Sequence, residues 1–272
     1  MARAKRLTRL GTDETGERAG VTQDSTPGTQ GHGWWPYVLP YVAFLASVEL
    51  LNRVLPEDWA GLGLVLKPAV PAVLLVWFAM RGAYPELRRR PELRWPRLDL
   101  GGRVLDVAVG LVLAVLWVAP FVFFETLRPE GPGFDLDQLG EANRPLTLGL
   151  RLFGYALVTP LFEEIFIRSF VMRYSEVYRQ RGDFRTVPLA HYTLGSFVTT
   201  TIVFTLGHVP WEWWVAVPWV AITNLWFYYR KDLWALILTH ATTNAALLGA
   251  ALFLSDHFSD GSGNPISLWF FV

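Results

Sequence analysis

Cysteine is absent from the 272-residue chain, which excludes disulfide bonds, thiolate metal sites and a cysteine nucleophile. Charge is also scarce: charged residues make up 18% of the sequence, and the 24 basic side chains are balanced by 24 acidic ones. The zero net charge therefore gives no indication of a nucleic-acid partner. The sequence also lacks an HExxH zinc-protease motif and any internal repeat.

Long apolar segments are the dominant feature, and 52% of the residues are hydrophobic. A helix needs about 20 apolar residues to cross a bilayer. Seven segments approach or reach that length, at roughly residues 35–52, 60–80, 104–124, 147–170, 193–209, 211–229 and 233–254. We therefore predict an all-α fold, a polytopic membrane bundle of about seven transmembrane helices with a catalytic site inside the bundle.

The apolar segments divide the chain into three parts. Residues 1–33 are polar and contain no apolar run, which predicts a disordered cytoplasmic tail rather than a signal peptide. Residues 34–254 form the membrane domain, and residues 255–272 form a short C-terminal segment.

The charges in the connecting links predict the orientation. Basic residues lie in three links on one side, at 81–103, at 173–185 and at Arg230 and Lys231, whereas the loop from Glu125 to Glu141 is mostly acidic. The positive-inside rule therefore predicts a cytoplasmic N-terminus and a C-terminus outside. A composition rich in Arg, Ala, Leu and Trp indicates a GC-rich bacterial genome, so we expect an inner-membrane protein.

The segment TPLFEEIFIRSF places three ionisable side chains inside an apolar helix. Each costs about 2.5–3.5 kcal/mol on insertion, so such residues are functional by default. Glu164 and Arg168 are four positions apart, share one helix face and are predicted to form an ion pair. This leaves Glu163, turned about 100° away along the helix, as a carboxylate that must be protonated or find another partner.

Two later segments supply candidate partners. FTLGH places His208 late in the fifth apolar segment, and HATTN places His240 and Asn244 one helical turn apart in the last. Glu163 and His240 lie at similar depths, about 12 Å from the cytoplasmic ends of their helices at 1.5 Å per residue. We therefore expect these side chains to meet, with the chain turning at Pro210 inside the protein so that His208 joins them.

Glu49 and Lys67 are also charged residues within predicted spans. Glu49 is late in the first segment and Lys67 is within the second. They are expected either to pair with each other across the helices or, for Lys67, to extend to the outer interface. These structural roles are favoured over the alternative, a contact with substrate.

Three motifs resemble those of the CPBP family, which contains CAAX prenyl proteases and bacteriocin-processing enzymes. The family carries EExxxR, FxxxH and HxxxN on successive membrane helices, and here these motifs begin at Glu163, Phe204 and His240. The resemblance covers about residues 147–254, which would be the protease core. No position in the three motifs departs from the family pattern.

The resemblance implies a glutamate-dependent intramembrane endopeptidase. Glu163 with His208 would hold and activate a water, and His240 with Asn244 would donate hydrogen bonds to the oxyanion. The same resemblance gives supporting roles to Glu164, Arg168 and Phe204.

A metal-dependent alternative stays open at this point. Glu163, His208 and His240 form a set that could bind a divalent metal such as Zn²⁺, with water in the fourth position. We favour the glutamate-dependent hypothesis, in which no cofactor is required.

The expected partners are the lipid bilayer and a membrane-associated peptide or protein substrate. Removal of a C-terminal anchor or sorting signal, or of a leader peptide, is favoured over prenyl-tail cleavage, because bacteria usually lack protein prenylation. The alternatives are a non-catalytic membrane protein of the same fold, such as a scaffold, immunity factor or regulator, and a small transporter in which Glu and His relay protons.

Overall fold

The computed structural model describes residues 33–54, 56, 60–88, 100–131 and 133–272. Two predictions lie outside these residues: the disordered state of the N-terminal tail, except at Gly33, and the arginine-rich part of the link after the second helix, residues 89–97.

The regular secondary structure of the described residues is helical. Its α-helices are α1 (Trp35–Val54), α2 (Ala60–Met80), α3 (Leu100–Phe123), α4 (Arg144–Leu152), α5 (Thr159–Glu164), α6 (Met172–Val177), α7 (Leu194–Leu206), α8 (Trp213–Arg230) and α9 (Leu233–Leu254). Over the described ranges, β-structure is limited to one isolated bridge between Ser259 and Pro265. The predicted all-α class is confirmed.

Four described helices are long and apolar enough to span a membrane: Gly61–Met80, Leu100–Phe123, Glu141–Gln180 and Leu233–Leu254. The helices Trp35–Leu51 and Leu194–Leu206 are apolar but shorter. Each of the seven predicted segments contains a helix, which confirms a polytopic helical membrane bundle.

Helices α4, α5 and α6 are joined end to end by two π-helical turns, Phe153–Val158 and Ile165–Val171. We call this continuous element the broken helix. Pro160 explains the first turn, because proline has no N–H to donate and its ring collides with the carbonyl four residues earlier, at Ala156. Wider π turns inside α-helices are frequent at functional sites. The two glutamates of the FEEIFIR segment lie at the end of α5, between these two turns.

Close packing of α3 against α9 fixes the helix that carries His240. A Cβ atom at Gly110 would approach the Thr239 carbonyl oxygen to 2.6 Å, so only glycine fits at this crossing. The Thr243 hydroxyl also donates to the Gly110 carbonyl at 3.1 Å. Both contacts fix the position of the polar face of α9 relative to α3.

Loops meet at both ends of the bundle. At one end the Tyr37 hydroxyl donates to the Ala83 carbonyl, and the Trp234 indole donates to the Leu87 carbonyl. At the other end the loop after α3 meets the C-terminal segment, where the Phe134 amide donates to the Trp269 carbonyl at 3.0 Å. This division of the links between two ends agrees with the topology drawn from the charges. Which end faces the cytoplasm stays a prediction.

Candidate active site

Glu164 and Arg168 form the predicted ion pair, with 3.2 Å between the arginine Nη1 and the glutamate Oε2. Both side chains are completely buried. Arg168 also donates from Nη2 to the Thr223 hydroxyl at 2.7 Å. Its guanidinium lies 5.4 Å from the Phe204 ring centroid and 5.8 Å from that of Trp219. The pair is therefore anchored to the neighbouring helices α7 and α8.

His240 lies between the two glutamates. Its Nδ1 is 2.7 Å from Glu164 Oε1, and its Nε2 is 3.8 Å from Glu163 Oε2. An ionised carboxylate only accepts hydrogen bonds, so Nδ1 carries the proton and donates it to Glu164. The ring orientation of His240 is therefore set by Glu164, and Nε2 is directed to the side of Glu163.

This arrangement differs from the expected pairing of Glu163 with His208. The sequence indicates which residues share a helix, but the partner of a side chain on another helix depends on how the two helices are rotated. The structure brings His240 within 4 Å of Glu163, and His208 lines the same cavity.

His208 lies beyond the end of α7, not within the helix as expected. Helix α7 ends at Leu206, and Gly207 is its C-cap, with Pro210 three residues further on. The His208 Nδ1 is 2.9 Å from the Phe204 carbonyl oxygen, which can only accept, so Nδ1 donates and Nε2 keeps its lone pair. The predicted packing of Phe204 beside His208 is present, with ring centroids 4.5 Å apart.

Asn244 contacts the broken helix. Its side-chain amide donates to the Tyr155 carbonyl at 2.8 Å, and Tyr155 lies in the first π turn. This bond uses one of the two amide hydrogens, so the second remains for another acceptor. The π turn thus orients the side chain of Asn244.

A cavity of about 560 Å³ brings the predicted catalytic residues together. Its wall includes Glu163, His208, His240 and Asn244, with Phe204 beside them. Glu164 and Arg168 stand behind this wall and support it. The turn at Pro210 is a 3₁₀ turn, Pro210–Glu212. Trp211 and Glu212 line the cavity, but Pro210 itself is exposed rather than enclosed by the protein as expected.

The cavity also contains polar residues that the sequence analysis missed as site residues. Glu212 lines the wall four positions after His208, and Tyr155 and Arg151 line it from the broken helix. The acidic residue in HVPWEW was a usable signal for Glu212. Arg151 was visible as a charge within the fourth apolar segment. Tyr155 gave no signal, because the π turn that contains it is not visible in a hydrophobic pattern.

The two charges given structural roles lie in different surroundings. Glu49 forms an ion pair with Arg53 one turn later on α1, and both side chains are exposed. Lys67 lies on the cavity wall, which Arg151 also lines.

The geometry of the site bears on the metal-dependent alternative. Among the residues that the structure describes, no group of three or more His, Asp or Glu side chains is arranged to hold a metal ion. The residues offered for that role, Glu163, His208 and His240, share the cavity.

The protein is a polytopic helical membrane bundle with carboxylate, imidazole and amide groups on the wall of one cavity. Residues 145–246 match the family model described as Type II CAAX prenyl endopeptidase Rce1-like. The chain therefore carries an Rce1-like domain, which confirms the resemblance to the CPBP family and includes all three motifs. No curated protein and no solved structure matches the chain.

Proposed function

We propose that this protein is an intramembrane endopeptidase in which Glu163 activates a water for attack on a peptide bond of a membrane-associated substrate. The observation that carries the proposal is the 3.8 Å separation of Glu163 Oε2 and His240 Nε2 on the cavity wall. A water about 2.8 Å from each atom fits this separation at hydrogen-bonding distance.

Glu163 acts as the general base in this proposal. It accepts a proton as the water oxygen attacks the peptide carbonyl carbon, and a tetrahedral oxyanion forms. The C–N bond then breaks, and the leaving amine takes the proton from Glu163. General acid–base catalysis of this kind contributes roughly 100- to 10,000-fold to a rate.

His240 orients the attacking water. Its Nδ1–H is held by Glu164, so Nε2 accepts the hydrogen of the water that does not go to Glu163. Arg168 positions Glu164 and so acts on the reaction through two other residues. This moves His240 to the water-binding role that the sequence analysis gave to His208, because His240 is the histidine placed beside Glu163.

Asn244 and His208 contact the substrate. Asn244 has one amide hydrogen left after its bond to Tyr155, and it donates this hydrogen to the oxyanion. The Nε2 lone pair of His208 accepts a hydrogen bond from a backbone N–H of the substrate. The mechanism uses no metal, and the preferred substrates are C-terminal anchors, sorting signals or leader peptides.

A cleavage assay in proteoliposomes tests the proposal. The full-length protein is incubated with three internally quenched peptides, which carry a C-terminal apolar helix, an apolar leader or an S-farnesyl cysteine tail. We expect a new terminus, identified by mass spectrometry, in at least one of the first two peptides, and unchanged rates after dialysis against EDTA and 1,10-phenanthroline.

The same assay can contradict the proposal in two ways. If the folded protein cleaves none of the peptides, the non-catalytic alternative is favoured. If chelation abolishes cleavage and Zn²⁺ restores it, the enzyme is zinc-dependent.

A further inference from the structure

One part of the active-site cavity is basic. Lys67 of α2 and Arg151 of α4 both line the cavity that contains Glu163. Neither residue belongs to the EExxxR, FxxxH or HxxxN motifs, and the mechanism above uses neither of them. Two basic side chains on one cavity wall could together bind an anion.

Arg151 is held in place by aromatic rings. Its guanidinium carbon is 5.0 Å from the ring centroid of Phe134 and 5.0 Å from that of Tyr155. Its Nε is buried and has no hydrogen-bond partner in the described part of the chain. Because Nε is inaccessible from the cavity, a ligand would accept hydrogen bonds from the terminal nitrogens of Arg151 instead.

Other arginines differ from Arg151 in having a carboxylate within ion-pair distance: Arg53, Arg103, Arg144, Arg168, Arg173, Arg185 and Arg230. Arg151 instead directs a rigid, planar group with several N–H donors at the cavity wall. This fork geometry matches a carboxylate, which can accept two parallel hydrogen bonds from it.

The separation between the basic and the catalytic groups limits the length of a bound peptide. Arg151 and Glu163 are twelve positions apart on the broken helix. At 1.5 Å per residue their Cα atoms are at most about 18 Å apart along the axis. An extended peptide rises about 3.3 Å per residue, so about five residues span this distance.

We propose that Lys67 and Arg151 form a subsite for a carboxylate of the substrate, located within about five residues of the bond that is cleaved. The inference rests on the proposed function and adds the direction in which the peptide binds. The anionic group of the peptide lies at Arg151 and its reacting carbonyl lies at Glu163. The carboxylate is either the C-terminal one or that of an aspartate side chain.

Four matched peptides separate these two sources. They share one sequence and one membrane anchor, and they combine a free or amidated C-terminus with Asp or Asn at one position within five residues of the cleaved bond. We expect removal of the recognised carboxylate to lower kcat/KM by tenfold or more, mainly through a higher KM. In the Arg151→Met variant, the peptides with and without that carboxylate should be cleaved at equal rates.

Two control variants keep the test decisive. Arg179→Gln removes an exposed arginine that lies outside the cavity, and it should discriminate between the peptides as the wild type does. Lys67→Met provides a second subsite variant in case Arg151→Met does not fold.

The outcomes distinguish the two proposals. Equal cleavage of all four peptides by the wild type, or discrimination that persists in both subsite variants, would overturn the carboxylate subsite and leave the peptidase intact. If no peptide that fits the cavity is cleaved, the proposed function itself fails.

Discussion

The Glu163→Gln variant is expected to lose peptide cleavage by roughly 1,000-fold or more in kcat, because an amide oxygen cannot take a proton from the attacking water. Glutamine has the same shape as glutamate, and the Glu163 side chain is 14% exposed, so the variant should insert and fold normally. The measurement is the rate of cleavage in proteoliposomes, normalised to the amount of folded protein.

A matched control is available on α1. Glu49→Gln changes the same chemical group in an exposed position, where the carboxylate pairs with Arg53 and lies outside the cavity wall. We expect this variant to retain wild-type cleavage. Equal rates for Glu163→Gln and Glu49→Gln would rule out Glu163 as the base.

The second large effect is expected from Arg168→Met. This change leaves the Glu164 carboxylate completely buried without its cation, and breaking a buried pair in this way costs about 3–5 kcal/mol. It also removes the hydrogen bond to Thr223. We expect a lower midpoint in denaturant unfolding, and lower activity because Glu164 no longer holds His240 in one orientation.

A double variant separates loss of the pair from loss of one partner. In Glu164→Gln/Arg168→Met no uncompensated charge remains, so the free energy of unfolding should recover most of what Arg168→Met loses. Activity should stay low in the double variant, because the neutral amide oxygen of Gln at position 164 accepts from His240 Nδ1 more weakly than the carboxylate does. If Arg168→Met unfolds at the wild-type midpoint, the pair does not support the site in the way described.

Features that depend on one helix could be predicted from the sequence. The four-residue spacing of Glu164 and Arg168 fixes both on one helix face, and the ion pair follows from that geometry alone. The same reasoning places His240 and Asn244 on one face of α9, and both line the cavity. The apolar segments likewise predict the helices, because about 20 consecutive apolar residues have few alternatives to a membrane helix.

Features that depend on rotations between helices could not be predicted. Whether Glu163 meets His208 or His240 is decided by the packing of α5 against α9 and by where α7 ends. The sequence placed His208 inside a helix because its neighbours are apolar, whereas the chain leaves the helix at Gly207. The π turns change the direction of Tyr155 by adding residues to a turn, and a 3.6-residue periodicity does not include such a change.

The basic part of the cavity could not be predicted from the sequence for the same reason. Lys67 was expected to reach the membrane interface or to pair with Glu49, because a lysine side chain can extend along an apolar surface. Arg151 lies near the start of the fourth apolar segment, and its sequence position does not show that it shares a cavity with Lys67. Only the packing of α2 beside the broken helix brings Lys67 and Arg151 to one cavity.

Oxygen-isotope transfer in a single turnover tests most directly the central claim, that Glu163 delivers a water to the peptide carbonyl. The full-length protein, in excess over a cleavable peptide, is allowed to react once in H₂¹⁸O, and the products and the protein are analysed by mass spectrometry. We predict one ¹⁸O atom in the new C-terminal carboxyl group of the product and none in Glu163. Appearance of ¹⁸O in the Glu163 carboxylate would contradict the account, because it would show that Glu163 attacks the substrate as a nucleophile.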